Sequence, residues 1–180
     1  MGGQFGVIKV QHTFKKSLEL SHAQSDAPWW ERVYRSAFPT MHSMMCVRND
    51  GWAQRGGIDR VVTLNSGKAI YVDEKVRDKA WPDILLEYWS SEEHKRPGWI
   101  AQDMASDYIA YAFIPTEECY LLPFHTLRLA WHKNRGEWVA KYRRIEAANQ
   151  GYTTVSVAVP IAVVLDSLSD AVRVSWSDAA

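Results

Sequence analysis

Two cysteines in 180 residues, no surplus of either charge and no apolar run of membrane length set the first limits. Cys46 and Cys119 are too few for a disulfide framework and stand at no metal-ligand spacing, which leaves buried free thiols as the expectation. Lysine plus arginine and aspartate plus glutamate each number 21, giving a formal net charge of +0. A tight, sequence-independent binder of duplex nucleic acid carries a basic surplus, so this balance weighs against that class. Residues 155–165, an apolar stretch near the C-terminus, are broken by Ser156 and Pro160 and fall short of the roughly 20 residues that cross a bilayer. Residues 1–11 lack the charged start and apolar run of a signal peptide, so a cytoplasmic protein without a membrane partner is the default expectation. No internal repeat, phosphate-binding Gly-Lys-Ser/Thr loop, zinc spacing or Ser-His-Asp arrangement is found in the sequence.

What is there suits one folded domain over residues 1–180, with 47% hydrophobic and 23% charged residues. Residues 1–24 are polar and read as a peripheral segment, and the core spans about 26–160. Nine tryptophans and eight tyrosines supply packing area, with a minority free to stack on bases.

Ser25 and Asp26 offer capping side chains before Pro28, and Trp30, Val33, Tyr34 and Ala37 follow at helical spacing up to Pro39. Residues 41–47 read as extended, and Asn49-Asp50-Gly51 as a turn. Residues 58–64 and 69–76 read as strands of a hairpin joined through Asn65-Ser66-Gly67-Lys68, and 84–89 as the third strand of a meander. Residues 107–114 make a further strand, 123–133 a second helix and 153–159 a last strand, while 163–176 fit neither pattern cleanly. The order predicts an α/β fold with one mixed central sheet flanked by helices.

The chemistry is concentrated in two strands. Alternation sets Asp73 and Lys75 on one face of the second hairpin strand, in a row with Tyr71 and Arg77, and sets Ile70, Val72, Glu74 and Val76 on the other. Hairpin pairing can bring Asp59 beside Asp73. Two carboxylates this close repel unless a cation sits between them, and Mg²⁺ is typically held by one or two carboxylates plus phosphate oxygens. Lys75 could then position or help deprotonate a water and stabilise charge on phosphorus. The alternative takes Asp59-Arg60 and Asp73-Lys75 as ion pairs on an exposed sheet face.

Asp59, thirteen intervening residues and then Asp73-Glu74-Lys75 resemble the signature of the PD-(D/E)XK nuclease superfamily, the restriction-endonuclease-like fold. The resemblance covers residues 26–159, although its specific motifs occupy about twenty residues, and Ile58 stands where the signature's name has proline. It implies a core of helix, three-strand meander, helix and strand. It also implies DNA hydrolysis by a metal-activated water, with Asp59, Asp73 and Lys75 catalytic and Mg²⁺, replaceable by Mn²⁺, as cofactor. The metal ligands would be Asp59, Asp73, the Glu74 carbonyl and a helical glutamate, which Glu31 matches by position. Small nucleases of this kind act in phage, mobile-element and repair settings.

Gln54 and Arg55, before Gly56-Gly57, are candidates to contact the nucleic acid, as are Arg60, Arg77 and Lys79. His94 beside Glu92 and Glu93, and His125 with His132, have poor spacing for a shared ion. RNA remains open as substrate, and because nucleases that cut both strands often pair as symmetric dimers, a homodimer or a partner protein is an open expectation. The rival from another class is a non-catalytic nucleic-acid-binding or protein-interaction module on the same fold.

Overall fold

The computed structural model describes residue 24, residues 26–168 and residues 172–175. Along the chain come α1 (Trp29–Ala37), β1 (Met41–Cys46), α2 (Gly51–Gly56), β2 (Arg60–Leu64), β3 (Ala69–Arg77), β4 (Asp83–Ser91) and β5 (Arg96–Pro97). There follow β6 (Tyr108–Phe113), β7 (Glu118–Pro123), α3 (Phe124–Lys141), β8 (Arg143–Asn149), β9 (Tyr152–Pro160), α4 (Ile161–Asp166) and β10 (Val172–Ser175). The result is a mixed α/β fold with two sheets. One has the order β1-β2-β3-β6-β7-β10 and the other β5-β4-β9-β8. The expected single sheet is therefore corrected to two.

The meander is also relocated. It runs β1-β2-β3, and residues 84–89 lie in the second sheet, where β4 pairs antiparallel with β9. The place beside β3 goes to β6, paired in parallel. Burial explains the exchange. β6 carries five consecutive buried residues from Ile109 to Phe113, which suits a strand covered on both faces. β4 buries Ile84, Leu86 and Tyr88 but leaves Leu85, Glu87 and Trp89 half-exposed, as a strand with one covered face should.

α1 covers one face of the six-stranded sheet. Trp30, Val33 and Tyr34 pack there on Val62, Ile70, Val72, Ala110, Ala112, Cys119 and Leu121. Pro28 occupies the N-cap without a side-chain cap, so the capping expected of Asp26 is not used, and Ser25 lies outside the described residues. The opposite face carries Ile109, Tyr111, Phe113, Tyr120 and Leu122. These meet Leu86 and Val157 of the second sheet and Leu127 and Trp131 of α3 in the larger core. β3 thus has α1 on one side and the margin of the larger core on the other.

Several elements escape the sequence patterns. The expected turn at Asn49-Asp50-Gly51 is present, with the Asp50 N–H on the Val47 carbonyl at 2.8 Å, but it leads straight into α2; the second helix runs on to Lys141, and β7 and β8 are additional strands. Of the ambiguous tail 163–176, residues 163–166 belong to α4 and 172–175 are extended, while residues 169–171 and Trp176 lie outside the described residues, as do residues 1–23 of the expected N-terminal segment. Cys119 is buried and Cys46 half-buried, both as free thiols. Among the described residues no helix is long and apolar enough to cross a membrane.

Candidate metal and catalytic site

The hairpin register sets the site. β2 and β3 pair with Arg60 opposite Val72, and one step earlier the Asp59 N–H donates to the Val72 carbonyl at 2.9 Å. Gly57, at φ 66°, ends α2 in the left-handed region and turns the chain into β2. A Cβ at Gly57 would lie 2.8 Å from Met104 Sδ. The glycine pair thus serves a helix cap and a packing seat. That departs from the close phosphate approach expected of it.

Beyond Val72, the β2-facing edge of β3 meets a carboxylate in place of a strand. The Glu74 N–H donates to Asp59 Oδ2 at 2.9 Å, and Arg48 Nε donates to Asp59 Oδ1 at 3.1 Å. Tyr71 turns to the other edge, donating to Asp107 Oδ2 and accepting from Asp107 N, each at 2.8 Å. A strand residue's N–H and C=O point to the same edge, so the Glu74 carbonyl also faces the side where Asp59 sits.

Asp73 and Lys75 share the face expected of them. Lys75 Nζ lies 2.6 Å from both Asp73 oxygens and 5.9 Å from the Trp99 ring centroid. The Asp59 and Asp73 carboxyl groups lie close enough for each to feel the other's charge. Burial pushes Asp73 up, Lys75 pulls it down and Asp59 raises it again, leaving it at about 6. Burial also raises Asp59, but Lys75, Arg48 and the Glu74 N–H outweigh it and hold its pKa below the usual value. Asp73 is therefore the member of the pair that takes up a proton first as pH falls.

Glu87, from β4, is a third acid of this cluster, and sequence reading missed it. Burial raises its pKa, while Lys75 and the Trp99 N–H pull it down. Burial would lower Lys75, yet Asp73, Asp59 and Glu87 together raise it. Lys75 thus stays an ammonium, suited to orienting a water or holding negative charge and unsuited to removing a proton. Only the crossing of the second sheet brings Glu87 here. Its one local signal is an acid amid apolar neighbours on β4. Arg48 and Trp99 were missed for the same reason.

Other expected site residues are placed elsewhere. Glu31 is on α1, on the far side of the sheet, with its side chain 51% exposed and paired to Arg35 at 2.7 Å. That position does not complete the metal site. Arg60 is 4% exposed and grips Glu74 at 2.8 Å, so it is structural and not a phosphate contact. Arg77 donates to Tyr111 Oη at 2.9 Å and lies 3.8 Å from Asp83, which ties it into the fold as well. Gln54, Arg55 and Lys79 remain exposed. His94 meets Ser91, Glu92 meets Arg144, and Glu93 meets the Thr153 N–H, three separate attachments that share no centre.

Among the described residues no group of three His, Cys, Asp or Glu side chains converges as a metal cage. The oxygen donors brought together are the Asp59 and Asp73 carboxyls and, on the same strand edge, the Glu74 carbonyl. Two neighbouring carboxyls, one of them raised by the other's charge, fit a divalent cation, which would offset that repulsion. No family model, curated protein or solved structure matches this chain.

Proposed function

We propose that the chain is a Mg²⁺-dependent nuclease that hydrolyses DNA phosphodiester bonds, built on the restriction-endonuclease-like fold. The observation that carries the reading is the meeting of Asp59, Asp73 and Lys75 on adjoining strands, with the Glu74 carbonyl turned to the Asp59 edge. Support for the fold comes from the order helix, three-strand meander and a further strand beside the motif strand. One departure is that β4 and β5, and not a helix, connect β3 to its parallel neighbour.

Asp59 and Asp73 would hold the cation, with the Glu74 carbonyl as a third oxygen. A bound Mg²⁺ supplies acidity to a coordinated water and neutralises charge developing on the phosphate. Lys75, kept charged by its three acidic neighbours, orients the attacking water and balances negative charge on the phosphoryl oxygens. Arg48 fixes one Asp59 oxygen and the Glu74 N–H fixes the other, so this ligand is already positioned. Mn²⁺ should substitute for Mg²⁺, and exposed Gln54, Arg55 and Lys79 are available to the nucleic acid.

The test is incubation with single-stranded, duplex and branched DNA, and with RNA, in Mg²⁺ or Mn²⁺. Cleavage should disappear in Asp73→Asn and Lys75→Ala while cooperative unfolding persists. Equal cleavage by those variants would sink the assignment. A second reading, binding without turnover, draws on the ion pair itself, because Lys75 closes on both Asp73 oxygens. It expects nucleic-acid binding without product, with metal or without. Solution mass would separate a single chain from the homodimer that two-strand cutting favours.

A further inference from the structure

A cavity of about 320 Å³ opens beside the acid cluster, walled by Glu87, Ser90, His94, Arg96, Tyr152 and Thr154. Glu87 belongs to both places, since it lines this cavity and lies close enough to Lys75 and Asp73 for their charges to be felt. Two register shifts in β4 build the wall. One falls between Glu87 and Trp89 against β9, the other between Trp89 and Ser91 against β5. Plain alternation would put Glu87 and Ser90 on opposite faces, and the shifts turn both to the cavity.

The lining has three kinds of unspent chemistry. Arg96 is exposed and makes no ion pair among the described residues, so its guanidinium is available to an anion. Tyr152 is half-exposed and offers an aromatic face. Glu87 brings a carboxyl group, part of which the Trp99 backbone N–H takes. A pocket of this size lies at the small end of the range for ligand sites, about 300–1,000 Å³, and suits one nucleotide.

We propose that this cavity is a subsite for a single unpaired guanine nucleotide of the nucleic-acid chain. Guanine alone among the four bases sets two N–H donors, on N1 and N2, side by side for a carboxylate. Thymine flanks its one N–H with carbonyls that repel a carboxylate, and adenine and cytosine each offer one amino group. Pairing hides the guanine donors, so the substrate would present this base in a single-stranded, looped or flapped segment. Tyr152 stacks on the base, Arg96 takes the phosphate, and Glu87 then couples base recognition to the neighbouring Lys75. The choice of ligand rests on the nuclease reading, although binding can be measured without cleavage.

The experiment is calorimetric titration of the whole chain in EDTA with dGMP, dAMP, dCMP and dTMP. The expected result is dGMP preferred by roughly tenfold or more. Glu87→Gln should remove that preference, Tyr152→Ala should weaken dGMP by about fivefold or more, and Arg96→Ala should weaken dGMP while sparing deoxyguanosine. Arg96 is an exposed side chain, so that variant stays informative if Glu87→Gln fails to fold. Equal binding of the four nucleotides, no binding, or an undiminished preference in Glu87→Gln would overturn the proposal. A chain that selects dGMP yet leaves every nucleic acid intact refutes the nuclease and leaves the subsite standing. One that cuts but ignores dGMP refutes the subsite alone.

Discussion

Asp73 and Glu74 are adjacent in the chain, and their carboxyl groups lie in different layers with different partners. Glu74 is 2% exposed beneath α1, where it accepts from Tyr34 Oη at 2.8 Å, Arg60 Nε at 2.8 Å and Arg48 at 3.4 Å. Positive charge exceeds negative around it, and its oxygens are fully engaged. On the other face Asp73, Asp59 and Glu87 gather around the Lys75 ammonium, with Arg48 on Asp59 at 3.1 Å, and three acids face two cations. Lys75 is 31% and Asp59 20% exposed along their side chains, so this cluster can be reached from solvent. A closed, compensated network is what a structural ion pair needs. An open cluster short of positive charge is what a cation site needs.

The largest expected difference is between the two neighbours themselves. Glu74→Ala should cost about 3–5 kcal/mol in urea unfolding, because the buried Arg60 guanidinium loses its counter-charge. Asp73→Asn should instead keep the fold and lower cleavage by on the order of 10³-fold or more, measured in single-turnover assays. If both variants merely unfold, the contrast fails.

Next in size is the effect of pH without metal. The folded-state pKa of Asp73, about 6, lies above the ordinary aspartate value of 3.8, so the folded protein binds the extra proton. The stability this brings is complete below about pH 4 and is lost as pH rises through about 6. Melting in EDTA should therefore fall across that window in the parent, and the fall should be shallower in Asp73→Asn. A parallel pair of curves would contradict the raised pKa of Asp73.

Metal binding should reverse that loss. Mn²⁺ must displace the proton, so the rise in melting temperature it causes should be greater at pH 7.5 than at pH 5.5. Asp59→Asn and Asp73→Asn should each remove the rise. The smallest effect belongs to Glu31→Ala, which should leave cleavage unchanged and alter stability by less than about 0.5 kcal/mol, as for other exposed pairs. A large loss of activity in Glu31→Ala would mean that α1 reaches the site after all.

Local patterns were enough for the β2–β3 hairpin. Alternation along Ile70, Tyr71, Val72, Asp73, Glu74 and Lys75 sorts these side chains between the α1 layer and the site, as the contacts of Glu74 and Lys75 show. α1 was equally legible from the spacing of Trp30, Val33 and Tyr34. Sheet membership was not, because the patterns of residues 84–89 and 107–114 say that both are strands and not which one lies beside β3. Only the burial of both faces of β6 decides it. Glu87 and Arg48 were invisible for the same reason, since tertiary crossing alone brings them to Asp73 and Asp59. Arg60 misled because a charged strand residue looks solvated until its buried partner Glu74 is seen.

A crystal soaked in Mn²⁺ near pH 7.5 and measured at the manganese edge tests the metal site most directly. The expected result is an anomalous peak between the Asp59 and Asp73 carboxylates, within ligand distance of the Glu74 carbonyl, with Lys75 released from at least one Asp73 oxygen. The contrary result is no peak there, with Lys75 still closed on both oxygens of Asp73 as an ordinary ion pair.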